Sequence, residues 1–146
     1  MIIRDKVCII TGAASGIGAA LARRFSEEGA RGIVLADTQT ELVQSVASEV
    51  HGRAFIGDMT SETDILELIK HAETHYGEID VFCSNAGIIH LGSEQASNDE
   101  WQLCWNLHLM AHVYAARYLA PKMAAKGSGY LLNTASAAGL LSHVNS

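Results

Sequence analysis

Short apolar runs alternate with stretches of helical periodicity along the whole chain. Residues 7–10, 33–36, 54–56, 81–83 and 130–132 are apolar without clean alternation. Such runs predict strands covered on both faces, as in a parallel sheet. Between them the apolar positions recur at three- and four-residue spacing. Ile17, Ala20, Leu21 and Phe25 form one such face, Leu42, Val43, Val46 and Val50 a second, and Ile65, Leu68, Ile69 and Ala72 a third. Gly29, Gly52 and Gly77 follow these patterns at positions that suit helix stops. Ser61 precedes the third helix, and Glu62 and Asp64 in its first turn suit the positive end of the helix dipole. A polar loop over residues 92–99 leads to the longest helical pattern, about residues 99–126, where Pro121 should kink or end the helix. The tail from residue 136 onward reads as loop.

Strands separated by helices, joined by right-handed crossovers, give an α/β fold: a doubly wound parallel sheet of the Rossmann type, with helices on both faces. At 146 residues the chain suits a single domain with a sizeable core. Hydrophobic residues make up 49% and charged residues 18%, which excludes disorder. The net charge of −6, with no basic run, disfavours extended nucleic-acid binding. No apolar run is long enough to span a bilayer, and the first residues lack the apolar core of a signal peptide. Cys8, Cys83 and Cys104 lie in apolar segments without metal spacing, so reduced thiols in a cytoplasmic protein are expected. His71 and His75 sit four residues apart, as do His108 and His112, but neither pair has a third ligand in pattern and no metal is expected.

The candidate chemistry falls at the carboxyl ends of the strands, where ligands bind in such sheets. Residues 11–18 read Thr-Gly-Ala-Ala-Ser-Gly-Ile-Gly, directly between the first strand and the first helix. A helix start offers free N–H groups and a positive dipole end to a phosphate. Gly12 permits a tight turn, Gly16 lets a pyrophosphate approach the backbone, and Gly18 lets helix and strand pack closely. Ser15 and Ile17 lie inside the same cradle. The spacing is G-x-x-x-G-x-G, and taken alone it also fits an ordinary turn. Asp37 ends the second strand, 19 positions after Gly18. A carboxylate there can accept both ribose hydroxyls of an adenosine and repels a 2′-phosphate, and no basic residue precedes Gly16 to pair one. NAD is therefore favoured over NADP, although a solvated turn aspartate would look the same. Asp58 ends the third strand, placed for the adenine amino group with Met59 beside the ring. An Asx turn or helix cap is the competing role. Asn85, Ala86 and Gly87 end the fourth strand, where small residues let the backbone pass near a cofactor and Asn can tie strands together.

The order and spacing of residues 11–18, Asp37, Asp58, Met59, residues 85–87, Asn106 and Ser136 resemble the classical short-chain dehydrogenase/reductase family, from residue 4 onward. The resemblance implies an NAD-dependent oxidoreductase that interconverts a secondary alcohol and a ketone. It implies that Ser136 hydrogen-bonds the substrate oxygen and that Asn106 holds a water in a proton relay. It also implies a tyrosine general acid/base, with a lysine four residues later, a short way beyond the serine. The sequence runs ten residues past Ser136 without that pair. Tyr118 and Lys122 have the right mutual spacing, but Tyr118 lies about 18 Å along the helix beyond Asn106, too far to serve. A longer natural protein is the expectation, residues 1–146 being an N-terminal NAD(P)-binding portion. A non-catalytic NAD-binding module or a fragment needing its C-terminal part is the alternative. The family further implies a homodimer or homotetramer assembled through the long helix. Ile88, Ile89, Leu91, Leu140 and Leu141 are candidates for an apolar substrate wall, though surface or core positions would read alike.

Overall fold

The computed structural model describes residues 1–89 and 95–137. Leu91, Leu140 and Leu141 lie outside them.

Five strands pair in parallel in the order β3-β2-β1-β4-β5. They are β1 (Val7–Thr11), β2 (Gly32–Asp37), β3 (Arg53–Ile56), β4 (Val81–Ser84) and β5 (Tyr130–Asn133). Each apolar run of the sequence is a strand. Each strand reaches at most one residue further at either end; at β1 and β4 the added residues are polar but buried, Thr11 donating to the Cys83 carbonyl and Ser84 paired with His112 of the last helix. The helices are α1 (Gly16–Glu27), α2 (Thr40–Glu49), α3 (Glu62–Tyr76), α4 (Asn98–Trp105) and α5 (Ala111–Lys126), with a π-turn at Asn106–Met110 joining the last two. Two apolar clusters cover the two faces. Ile9, Val34 and Phe82 pack with Leu68 of α3 and Leu119 of α5 on one side. Cys8, Ile10 and Leu35 pack with Ala22 of α1 and Val43 of α2 on the other. The doubly wound arrangement follows, and the strand order turns back between β1 and β4, the point where such sheets open a ligand crevice.

Ser61 caps α3 by accepting from the Asp64 N–H at 3.2 Å, as its sequence position indicates. The long helical stretch starts at Asn98, within one residue of expectation, where Ser97 and Glu100 form a reciprocal capping box. It departs from expectation at Pro121, which it runs through to Lys126, ending on Gly127 at φ 75°. Proline removes only the N–H that would reach the Arg117 carbonyl, and both residues are exposed, so water can take that place. The discontinuity lies instead in the π-turn, where Ala111 N–H bonds back to the Asn106 carbonyl.

Asp80 knots the opposite end of the sheet. Its Oδ2 accepts from Val7 N–H at 2.9 Å and its Oδ1 from Lys126 Nζ at 2.8 Å, with Lys6 at 3.5 Å. Burial opposes the charged carboxylate. The Lys126 and Val7 donors outweigh it and hold the group below its usual range. Burial pushes the Cys8 and Cys83 thiols up to about 12, so both stay protonated and unreactive.

Candidate active site

A cleft of about 970 Å³ lies across the carboxyl ends of the strands. That is the upper end of the usual range for ligand pockets, about 300–1,000 Å³. Gly12, Ser15, Gly16, Ile17, Asp37, Asp58, Met59, Asn85, Ala86, Gly87 and Ser136 all line it. Gly18 and Asn106 are not part of its lining.

The glycine turn divides its work among three positions. Gly12 stands at φ +64°, and a Cβ there would meet Ala86 Cα at 2.7 Å, so glycine lets β1 and β4 approach beside the cleft. Gly18 acts by packing, because a Cβ there would collide with the Gly12 carbonyl. Gly16, at φ +53°, has nothing within 4 Å of where a Cβ would stand. That open space faces the start of α1. No acidic residue lies in the first turn of α1, and the Ser15 side chain makes no capping bond. By contrast, α3 and α4 each carry two acidic residues in the first turn and a serine cap. Among the described residues, neither a first-turn acid nor a side-chain cap serves the positive end of α1, and it abuts room for a ligand. An anionic diphosphate fits that donor set.

Thr11 and Asn85 build the floor. Thr11 Oγ1 donates to the Cys83 carbonyl at 3.3 Å and accepts from the N–H groups of Asn85 and Ala86 at 2.9 and 3.0 Å. Asn85 Nδ2 donates to the carbonyls of Thr11 and Gly12 at 3.1 and 3.4 Å, and its Oδ1 accepts from Thr134 Oγ1 at 2.9 Å. One asparagine thus ties β1, β4 and the loop after β5.

Asp37 accepts from Ala14 N–H at 3.0 Å through Oδ2, and from Gln39 N–H at 3.1 Å through Oδ1. It is anchored to the glycine turn rather than freely solvated, while still facing the cleft. Asp58 Oδ1 accepts from Thr60 N–H at 2.9 Å, the Asx turn that its sequence also allowed. Met59 is 3% exposed and packs in the core under α3, so it reaches the cleft as floor rather than as a free stacking partner. Ile17 lies the other way, 63% exposed at the cleft mouth. Ser136 is exposed on the loop after β5. Asn106 opens the π-turn, and its Oδ1 accepts from Gln102 Nε2 at 2.8 Å.

Tyr118 and Lys122 turn away from the cleft. The Tyr118 hydroxyl is 3.5 Å from Glu62 Oε1, and Lys122 Nζ is 2.6 Å from Glu73 Oε1, both partners on α3.

Sequence reading missed Leu103, Leu107 and His108 on the cleft wall and Thr134 beside Asn85. His108 was legible only as half of a weak metal pair. Instead His108 and His112 each take a separate partner. His108 Nε2 lies 3.1 Å from the Ile88 carbonyl, and His112 Nδ1 lies 2.6 Å from Ser84 Oγ. Burial and the nearby His108 lower the proton affinity of His112, against a hydrogen bond to the His108 backbone that raises it. Among the described residues no group of three His, Cys, Asp or Glu side chains could hold a metal, and no helix is long and apolar enough to cross a membrane.

Known proteins match this chain along nearly its whole length. It is 35% identical over 143 residues to an uncharacterized oxidoreductase of Staphylococcus aureus (strain USA300), covering 94% of this chain and 61% of that protein. It is 35% identical over 140 residues to a mitochondrial borneol dehydrogenase of Lavandula x intermedia, covering 93% of this chain and 53% of that one. A solved 7 alpha-hydroxysteroid dehydrogenase, complexed with NADH and 7-oxo glycochenodeoxycholic acid, superposes with a TM-score of 0.92 at 26% identity. That superposition covers 99% of this chain and 59% of the solved one. The chain thus spans a little over half the length of these relatives. The family model for short chain dehydrogenase matches residues 6–145. With its parallel sheet, its glycine turn and these matches together, the chain belongs to the short chain dehydrogenase family.

Proposed function

We propose that residues 1–146 form the NAD-binding, N-terminal portion of an oxidoreductase that interconverts a secondary alcohol and a ketone by hydride transfer. The observation that carries this reading is the uncapped start of α1 facing open space at Gly16, with the Asp37 carboxylate at the neighbouring strand end. The solved relative that holds NADH supports it. In this reading Gly12, Ser15, Gly16 and Ile17 hold the diphosphate, and Gly18 keeps the α1 start in place. Asp37 takes the adenosine ribose. A carboxylate has about four acceptor positions, so ribose hydroxyls can join its backbone donors. Asp58 and Met59 border the adenine, and Asn85, Ala86 and Gly87 border the nicotinamide.

Bound nicotinamide would supply the acceptor for the alcohol's hydride, and the hydroxyl proton would pass by way of ordered water to solvent, leaving a ketone. Ser136 donates a hydrogen bond to the substrate oxygen, where charge develops in the transition state. Asn106 holds a water in the path of the proton. In the whole protein Ser136→Ala is expected to lower kcat by about 10²-fold or more, while NADH affinity stays within about 3-fold. Undiminished kcat would remove Ser136 from the chemistry. NADH binding with no turnover across a panel of secondary alcohols would favour a binding-only module.

We further propose a homodimer or homotetramer in the cytoplasm. The free thiols, with Cys8 and Cys83 buried and held protonated, suit a reducing compartment. Trp101, Trp105, Leu109 and Val113 are 62%, 55%, 40% and 38% exposed and recur every four residues along α4, the π-turn and α5. An apolar stripe of that kind fits a partner copy. Light scattering of the whole protein should give a multiple of the chain mass, reduced to the monomer by Trp101→Glu with Trp105→Glu. A parent that is monomeric at high concentration contradicts the assembly.

A further inference from the structure

We propose that His108 and His112 are positioning residues, a two-point clamp that holds Asn85-Ala86-Gly87 in its cleft-facing shape. The proposal rests on the reading of the cleft as an NAD site. Ser84 and Ile88 flank the three-residue segment. His112 takes Ser84 at 2.6 Å, and His108 takes Ile88 at 3.1 Å. The helix thus counts back four residues while the segment counts forward four. A carbonyl oxygen only accepts, so His108 donates from Nε2.

Four helical residues rise about 6 Å, whereas four extended residues reach about 13 Å. Anchors so placed require the segment between them to bend. The bend is visible where consecutive N–H groups of Asn85 and Ala86 converge on Thr11 Oγ1 at 2.9 and 3.0 Å. Gly87 leaves little slack, since a Cβ there would meet His108 Cε1 at 3.1 Å. His108 also sits at the centre of the π-turn, a local rearrangement of a helix that recurs at functional sites. Burial, followed by the charge of His108, favours the neutral form of His112, so at neutral pH the ring serves as an uncharged hydrogen-bond partner. Packing alone would be satisfied by any ring of similar size, while a clamp needs the nitrogens.

The test uses the whole protein. His108→Phe and His112→Phe keep a ring and lose the nitrogens; His108→Gln and His112→Asn return a polar atom near Nε2 and Nδ1. Two quantities are measured: NADH affinity by titration, and amide exchange at residues 85–88 without ligand, with β1 amides reporting the intact fold. Each phenylalanine variant is expected to bind NADH about 10-fold more weakly and to exchange residues 85–88 about 10-fold faster, with β1 unchanged. The Gln and Asn variants should return within about 3-fold of the parent. Ser84→Ala removes one anchor from the strand side and should weaken NADH binding likewise, should His112→Phe fail to fold. Parent-like affinity and exchange in the phenylalanine variants would overturn the clamp alone. A parent that binds no NADH would overturn the cofactor reading and the proposal with it.

Discussion

Gly18→Ala will destabilise the protein by about 1–3 kcal/mol and remove NADH binding with it. The added methyl would fall inside van der Waals contact of the Gly12 carbonyl, within the turn that starts α1. Backbone on both sides must then move, and the free N–H groups move with it. Gly16→Ala separates the two effects. Its methyl meets nothing within 4 Å, so the fold bears only the left-handed backbone at φ +53°, about 1–2 kcal/mol. The methyl nevertheless occupies the space before the α1 start. NADH affinity should fall by about 10-fold or more while the protein stays folded. Urea unfolding and NADH titration on both variants check this. A Gly16→Ala protein that binds NADH like its parent would remove the diphosphate from that turn.

Asp37→Asn should erode the preference for NAD over NADP by about 10–100-fold, chiefly through better NADP binding. The carboxylate ends β2 inside the cleft, where a 2′-phosphate would meet its negative charge. Asparagine keeps the size and can still accept from Ala14 N–H, the bond seen at 3.0 Å, so the change isolates charge. Asp37→Ala would confound charge with loss of that anchor. Comparing NADPH and NADH dissociation constants for parent and variant decides the matter. Equal affinities in the parent would refute the charge argument outright.

These two predictions rest on residues that the sequence exposes readily. Glycines in a turn between an apolar run and a helical pattern stand out because backbone geometry demands them, and a strand-end carboxylate stands out against the apolar run it closes. The central strands were legible for the same reason: strands covered on both faces need unbroken apolar runs, such as Val7 to Ile10, whereas β3 and β5 at the sheet edges carry apolar runs that stay half-buried or exposed. The last residues of β1 and β4 were less so. Thr11 and Ser84 are polar yet buried, and only their partners distant in sequence, Asn85 after β4 and His112 on α5 respectively, explain it.

Other features depend on contacts that local patterns do not carry. The π-turn at Asn106–Met110 has no glycine or proline to mark it. Pro121 marks a break that does not occur, since the carbonyl it orphans is on an exposed stretch of α5. Asp58 left two roles open in sequence, and the turn to Thr60 N–H is one that the fold adopts. The four-residue spacing of His108 and His112 points to no metal site without a third ligand, and it assigns neither ring another role; on a helix it suits two separate anchors, on β4 and its following loop.

Titration calorimetry of NADH into the whole protein tests the central claim most directly. The account predicts saturable binding at a single site per chain, displaced by NAD and weakened by Gly16→Ala. No saturable heat at millimolar NADH, from a protein that unfolds cooperatively, would contradict it.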